Sequence, residues 1–484
     1  MDERRHRGTK AQRHRGGIQN SEVRIQNWGR RWAAWGLGGA ILLAGCTVHP
    51  KGEAAERAAA TQAGTEYARR FEERKLPELA ADAAPEQLVA YALLTNPEVE
   101  QKYWEWRSAL EMVPQEGTVK TNVMISLSGM ISQGATAQSM WQAGIGNDSA
   151  MGIPLPPKLT VAAGKALEMA RVAAIRFDKA RFDVRAKVLT AYYDYALSAE
   201  LVRLHKQNVG LMESTTKVIQ NRIASGMNVP ADLLRTSNEI EMARNDLAAA
   251  EALLPGQRAA INALLSRDPR TAISEPAAIP ATGELALSDE ELVSRAGAIN
   301  PEVRALAQEM VAKKIAIAQA KLEYLPDFNI NFTSDLAGVT QSLMSSVSLP
   351  LLRYQAIDAM IRQAQADLRV ADNMRRKMAD DMRAQVIMDV TMLRDAERQV
   401  TLIDKKLLPR AQEVVDLTRR SYGNNQAIFL DVIETQRSLI GLRRMGAQMR
   451  AEREKRLVAL EAMTASELRR EVVAATVPAT GPAK

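Results

Sequence analysis

The sequence has one thiol and few other groups able to do bond-making chemistry. Cys46 is the only cysteine in 484 residues. A thiolate attacks acyl donors and disulfides, but with no second cysteine an intrachain disulfide is excluded. Past Cys46 the histidines are His49 and His205, far apart, so no histidine metal cluster is expected. No serine, threonine or lysine stands in a recognisable nucleophile–base pattern. The expectation is a chain with no catalytic residues, no metal site and no cofactor beyond what the thiol could carry. Among the acids, Asp431 and Glu434 stand three apart, which puts both on one face of a helix.

The elements around Cys46 define its chemistry. It follows Leu43-Ala44-Gly45, the apolar run Trp32–Leu42 and the basic residues Arg24, Arg30 and Arg31. A charged region, a short apolar region and small residues form the layout of a secretory signal. The run is short for a bilayer span. Leu43-Ala44-Gly45-Cys46 resembles a bacterial lipobox, which makes Cys46 the lipidated first residue of the mature chain. The alternative is a buried cysteine behind a small apolar segment. Residues 1–45 hold nine Lys or Arg against three acids, a surplus of six out of the formal +7. The basic balance therefore belongs to the signal, and nucleic acid is not an expected partner. Aromatics are only 4% of the chain, while helix-forming Ala, Leu, Met, Arg and Glu abound, a composition that favours long helices. No later segment is apolar enough for a membrane helix.

An internal repeat organises the remainder. Glu86–Val99 and Glu290–Val303 both end in Asn-Pro-Glu-Val. Asparagine caps free N–H groups, proline suits the first turn and glutamate suits the positive helix end. Ile223–Leu234 likewise aligns with Tyr422–Ile433. Gly226 falls on Asn425, the two residue types that best tolerate a left-handed backbone, and Asp232 falls near Asp431. Two such pairs argue for duplication, with a helical hairpin tip in each unit. The domains read 1–45 signal, 46–84 N-terminal extension, 85–270 first repeat, 271–288 linker, 289–471 second repeat and 472–484 tail. The extension and tail are expected to be poorly ordered.

Each repeat contains period-two sequence. Val119–Ser132 reads as one strand with a second around Ala150–Leu155, and Asp327–Thr333 pairs with Leu343–Leu351. Each strand pair precedes a long helical stretch, about Leu159–Ser225 and Tyr354–Asn424, with Leu197, Leu201, Leu204 and Leu211 at coiled-coil spacing and Asn208 as a polar residue in the seam. Pro409 should kink the second stretch. Return helices run about Ala231–Leu265 and Phe429–Ser466. The fold class is mainly α with a small β part: long antiparallel helical hairpins forming an α-barrel, and four strands per chain. Four strands cannot close a barrel, and a sheet in a membrane cannot leave open edges. Copies of the chain must therefore pool their strands if these enter a bilayer.

The two Asn-Pro-Glu-Val starts, the strand end Ser348-Leu349-Pro350-Leu351, the turn Tyr422…Leu430-Asp431-Val432-Ile433 and the segment Ile261–Leu265 together resemble the TolC-like outer-membrane efflux channel family. The resemblance covers essentially the whole mature chain. It implies a homotrimer with a shared β-barrel in the outer membrane and an α-barrel crossing the periplasm. Its implied partners are a periplasmic adaptor, an inner-membrane pump reached through it, and outer-membrane lipid. It implies that Asp431 and Glu434 line the periplasmic aperture, where Tyr422 hydrogen-bonds in the closed state, and that Gly226, Asn425 and Asp232 mark the adaptor-contacting tips. Local alternatives are helix capping for Asp431, packing for Tyr422 and a local ion pair with Arg235 for Asp232. The sequence departs from the family in spacing: Asn96 to Pro114 is shorter than Asn300 to Pro326, so the first helix is two turns shorter or Pro114 does not end it. Trp141 is the one evident interface aromatic, which points to a reduced or unusual barrel. A periplasmic adaptor lipoprotein and a TolC-like scaffold without a conducting barrel are the alternative functions.

Overall fold

A computed structural model describes residues 47–131, 139–148, 152–224, 230–280, 284–285, 288–335, 340–424, 426–466, 468 and 470–471. The chain is mainly helical with a small sheet. Helix α1 (Glu53–Ala63) is followed by α2 (Pro85–Thr95) and α3 (Pro97–Gly117), strands β1 (Val123–Ile131), β2 (Ser139–Asn147) and β3 (Ile153–Pro154), then α4 (Pro156–Ala224) and α5 (Pro230–Leu264). After β4 (Glu284–Leu285) come α6 (Asp289–Ile299), α7 (Pro301–Leu322), β5 (Asp327–Asp335), β6 (Gln341–Ser348), α8 (Tyr354–Leu402), a π turn (Ile403–Leu407), α9 (Leu408–Gly423), α10 (Phe429–Thr464) and β7 (Arg470–Glu471). Cys46, the signal and the 472–484 tail lie outside the described residues.

The 69 residues of α4 extend roughly 100 Å at the helical rise. They pack on α3, α5, α7 and α10, and α10 packs on α8 in turn. Because α4 has neighbours on several sides, its buried residues form no single leucine seam. Tyr192, Tyr193, Tyr195, Ala196, Ala199 and Val202 are buried, whereas Leu197 and Leu201 are half-buried.

Asparagine does two jobs in each Asn-Pro-Glu-Val motif. Asn96 Oδ1 accepts from Glu98 N–H at 2.9 Å, and its Nδ2 donates to the Leu264 carbonyl at 2.9 Å. Asn300 does the same with Glu302 N–H and the Met463 carbonyl, both at 2.9 Å. Each amide thus caps the start of one helix and the end of a return helix, satisfying orphan groups at both. Both side chains are buried.

Of three expectations, one pair of alternatives is decided and two readings are corrected. Pro114 lies inside α3, so α3 and α7 are nearly equal, at 21 and 22 residues. Proline cannot donate to the carbonyl four residues back. Here Arg57 Nη2 donates to that freed Leu110 carbonyl at 3.0 Å. Second, the segment after residue 46 is ordered. Val48 N–H donates to the Gly117 carbonyl at 3.0 Å, Tyr67 joins Tyr103, Trp106 and Phe177 in the core, and Arg74 donates to the Leu94 carbonyl and Glu100. Composition suggested disorder because this segment buries its few apolar residues against another element rather than in a core of its own. Third, the main partner of β1 is β2, not the stretch around Ala150–Leu155, of which only Ile153–Pro154 pairs, with β5. Glycine and glutamine obscure the alternation in β2.

The strap preceding α2 is held by a buried carboxylate. Glu53 accepts from His49 Nδ1 at 2.9 Å and from Arg57 Nε at 2.8 Å, and Arg57 continues to Glu111 at 2.8 Å. Burial pushes the Glu53 carboxyl up, but the hydrogen bonds and charges of Arg57 and His49 outweigh it and hold it below its ordinary value. A carboxylate depressed in the folded state stabilises it above the unfolded pKa, and that contribution is lost as pH falls through the folded one. Amide exchange in α1 should therefore accelerate as pH falls below the ordinary glutamate value of about 4.3, after correction for intrinsic rates. Glu53→Gln should flatten that dependence.

Candidate functional site

Two regions carry functional geometry: the sheet and the helical tips. In the sheet, β1, β2, β5 and β6 lie side by side and antiparallel, with β3 continuing beside β5 where β2 leaves it. Asn147 bridges that gap, its Oδ1 accepting from Ile330 N–H at 2.6 Å and its Nδ2 donating to Asn329 at 2.8 Å. Register sets the faces. Ile125, Ile145, Phe332 and Leu343 form one row across the strands. The next row, on the other face, is Ser126, Gly144, Thr333 and Ser342, with Thr333 and Ser342 hydroxyls 2.6 Å apart. One face is thus mostly apolar; the other is mostly small and polar, with Met124 and Met344 among its residues and no Lys or Arg among the described residues. In a single chain the apolar row is open to solvent, Ile125 at 82% and Leu343 at 73%. Trp141 lies over Gly129, where an added Cβ would sit 2.9 Å from the indole. The outer edges of β1 and β6 pair with no strand among the described residues.

At the opposite end, Tyr422 closes α9 and Phe429 opens α10, ring centroids 6.2 Å apart. They share a cluster with Met212 and Ile219 of α4, Ile240 of α5, and Val432 and Ile433. Within one chain the Tyr422 ring is therefore interior packing that joins the two hairpins. Asp431 is exposed, and its Oδ2 accepts from Ile428 N–H at 3.2 Å, capping its own helix. Glu434 is exposed one turn later. The two carboxylates thus share the open side of α10, while Tyr422 is on the packed side. Asp232 is half-buried at the start of α5, its carbonyl accepting from Thr236 Oγ1 at 2.7 Å. Gly226 and Asn425 lie outside the described residues. Unforeseen in the sequence is the Arg437–Glu239 ion pair, with Arg437 Nε donating at 3.2 Å, which joins α10 to α5. Those residues are 198 apart with no local pattern to connect them.

Among the described residues no group of three His, Cys, Asp or Glu is arranged to hold a metal, and no helix is long and apolar enough to cross a membrane. The family profile of outer membrane efflux proteins matches residues 124–267, from β1 through α5. The whole fold superposes on the CusC channel with TM-score 0.69 at 13% identity, covering 82% of this chain and 96% of that one. Residues 124–267 thus carry the sequence pattern of outer membrane efflux proteins, on a fold shared with an outer-membrane channel. The open-state MtrE outer membrane channel of Neisseria gonorrhoeae superposes similarly, with TM-score 0.67 at 16% identity, covering 80% of this chain and 90% of that one. The cobalt-zinc-cadmium resistance protein CzcC of Cupriavidus metallidurans is 22% identical over 271 residues, 54% of this chain and 63% of the relative. The chain thus spans less than two thirds of that curated relative.

The tip cluster joins the two hairpins within one chain. Phe429→Ala should cost about 3–5 kcal/mol locally, read as faster amide exchange in the last turn of α9.

Proposed function

We propose that three copies of this chain form the outer-membrane exit duct of a tripartite efflux or type I secretion system. The observation that carries this reading is the four-strand register with one mostly apolar face, one mostly polar face and, among the described residues, two open edges. A bilayer requires closed edges, and pooling strands from three copies gives on the order of twelve, enough for a hollow barrel with lipid outside and a polar lumen. The helical layer supports the same assembly. Its lateral order is α5, α4, α10, α8, and both outer helices expose apolar side chains. These are Leu234, Met242 and Leu253 on α5, and Val370, Met374, Ile387 and Met388 on α8. Such unpartnered stripes suit neighbouring copies. The parallel order of helix pair, strands and long hairpin in 85–264 and 289–464 supports the two-repeat reading and its domain boundaries.

The role of the chain is conduction without catalysis. The exposed Asp431 and Glu434 near the tips support a ring of carboxylates at the periplasmic aperture, which would favour cations. The tips, with Gly226, Asn425 and Asp232, are the surface offered to a periplasmic adaptor, and through it to an inner-membrane pump. Lipidation at Cys46 rests on the Leu43-Ala44-Gly45-Cys46 pattern; next to it, Thr47 Oγ1 is 3.0 Å from Thr118 Oγ1, at the helix end that feeds β1. A lipid on Cys46 would thus lie beside the membrane-proximal end of the sheet, adding an anchor to barrel insertion. An adaptor role is disfavoured, since two long hairpins with one small sheet leave no sizeable β domains.

Reconstituted into planar bilayers, the full chain should conduct as a trimer. Asp431→Ala with Glu434→Ala should raise conductance or weaken cation preference, read from the reversal potential in a salt gradient. A chain that remains monomeric and never conducts contradicts the proposal.

A further inference from the structure

Three changes of element meet at the helical end of the sheet. Helix α3 hands over to β1, β3 to α4, and α7 to β5. Between them is a cavity of about 270 Å³ with an apolar floor of Pro154, Leu159 and Ala162. Its wall includes Gly152, where an added Cβ would sit 2.7 Å from Asp327 Cβ, so no side chain there could share the space.

Register places the cavity on the polar side of the sheet. Asp327, in its wall, pairs with Ser348, and alternation puts both on the face that carries Thr333 and Ser342. Lys158 of α4 joins that face, its Nζ donating to Asp327 Oδ1 at 2.9 Å. Arg171, which reaches Glu56 of the strap, is on the other side of α4 by helical rotation. The cavity therefore lies on the side away from the strap.

The charged lining is unevenly satisfied. Lys158 and Asp327 neutralise one another, as do Lys120 and Glu116 at 2.9 Å. Gln319 Oε1 accepts from Lys165 Nζ at 2.8 Å. Glu323, at the end of α7, is half-buried, and its carboxylate has no hydrogen bond or ion pair among the described residues. A helix C-terminus is the negative end of the dipole, so this position suits a cationic partner rather than a bare carboxylate.

We propose that this cavity binds a small organic cation, with its ammonium on Glu323 and its apolar body on Pro154, Leu159 and Ala162. Size and charge select that class. The volume is below the roughly 300–1,000 Å³ of drug-sized sites. Among the described lining residues the unpaired charge is negative, and a half-buried carboxylate attracts a cation more strongly than one in bulk water. An anion is disfavoured because both lysines already have carboxylate partners. The role of the site in transport rests on reading the polar face as a lumen: each copy would then hold such a cavity at the inner mouth of the barrel, where amine cargo passes.

Titration calorimetry on the full chain in detergent tests this, with benzylammonium as the probe and benzyl alcohol and benzoate as its neutral and anionic counterparts. An Asp431→Ala, Glu434→Ala background removes the exposed carboxylates of the tip. Benzylammonium should bind tightest of the three, and Glu323→Gln should weaken it about tenfold while leaving benzyl alcohol unchanged. Gln319→Phe, which fills the cavity from its wall and keeps the carboxylate, should abolish binding and decides the matter if Glu323→Gln does not fold. Equal affinity for benzylammonium and benzyl alcohol, tighter benzoate, or unchanged affinity in the folded variants overturns the site. Binding is read without conduction. A chain that binds benzylammonium here but never conducts sinks the duct reading alone, and a conducting chain without the site sinks the cavity alone.

Discussion

Everything in this chain follows from a sheet that cannot be complete on its own. Among the described residues its edges at β1 and β6 are unpaired, which a bilayer does not tolerate and which in water invites pairing with another chain. The constraint propagates away from the sheet. Because β1 and β2 lead into α4, and β5 and β6 into α8, any closure that pools the strands must also gather the helices, and both outer helices present apolar stripes to receive a neighbour. Small side chains on the polar face fit the same picture: a Cβ on Gly146 would sit 2.9 Å from the Ile330 carbonyl. That face is thus kept low where a lumen would run.

Stiffness is graded along the molecule. The two buried asparagines knot helix starts to helix ends near the sheet-proximal half, and ion pairs from residues 453–461 to α8 and α4 extend that rigidity along α10. Beyond the π turn, the hairpins are joined by the Tyr422–Phe429 cluster and by the Arg437–Glu239 pair, among other contacts. The proposed duct would need one end to seal against lipid while the other opens and closes. The strap from Thr47 to Arg74 adds to the rigid half, with Arg57 occupying the carbonyl that Pro114 leaves free.

How much of this was legible in the sequence depends on how local the signal is. Helix starts at Pro97 and Pro301, the long limbs and the return helices were readable because capping and periodicity act within a few residues. The strand β5 was readable from Phe328, Ile330 and Phe332. The strand β2 was not recognised, because Gly144 and Gly146 occupy positions where a side chain would collide and so dilute the alternation. Whether Pro114 ends its helix stayed open because the compensating donor, Arg57, is far away in sequence. The carboxylates Asp431 and Glu434 were found by spacing, and they do share the exposed face of α10. The packing of Tyr422 against the first hairpin, the Arg437–Glu239 pair and the π turn depend on tertiary partners that no spacing rule reaches.

The central claim is that the two faces of the sheet meet different solvents. Single cysteines at Ile125 and Leu343 on the apolar face, and at Ser126 and Ser342 on the polar face, test it directly. They would be placed in a Cys46→Ser background in membrane-embedded protein and probed with a water-soluble thiol reagent. The account predicts that the cysteines at 126 and 342 react and those at 125 and 343 are protected. Equal reactivity on both faces would contradict it.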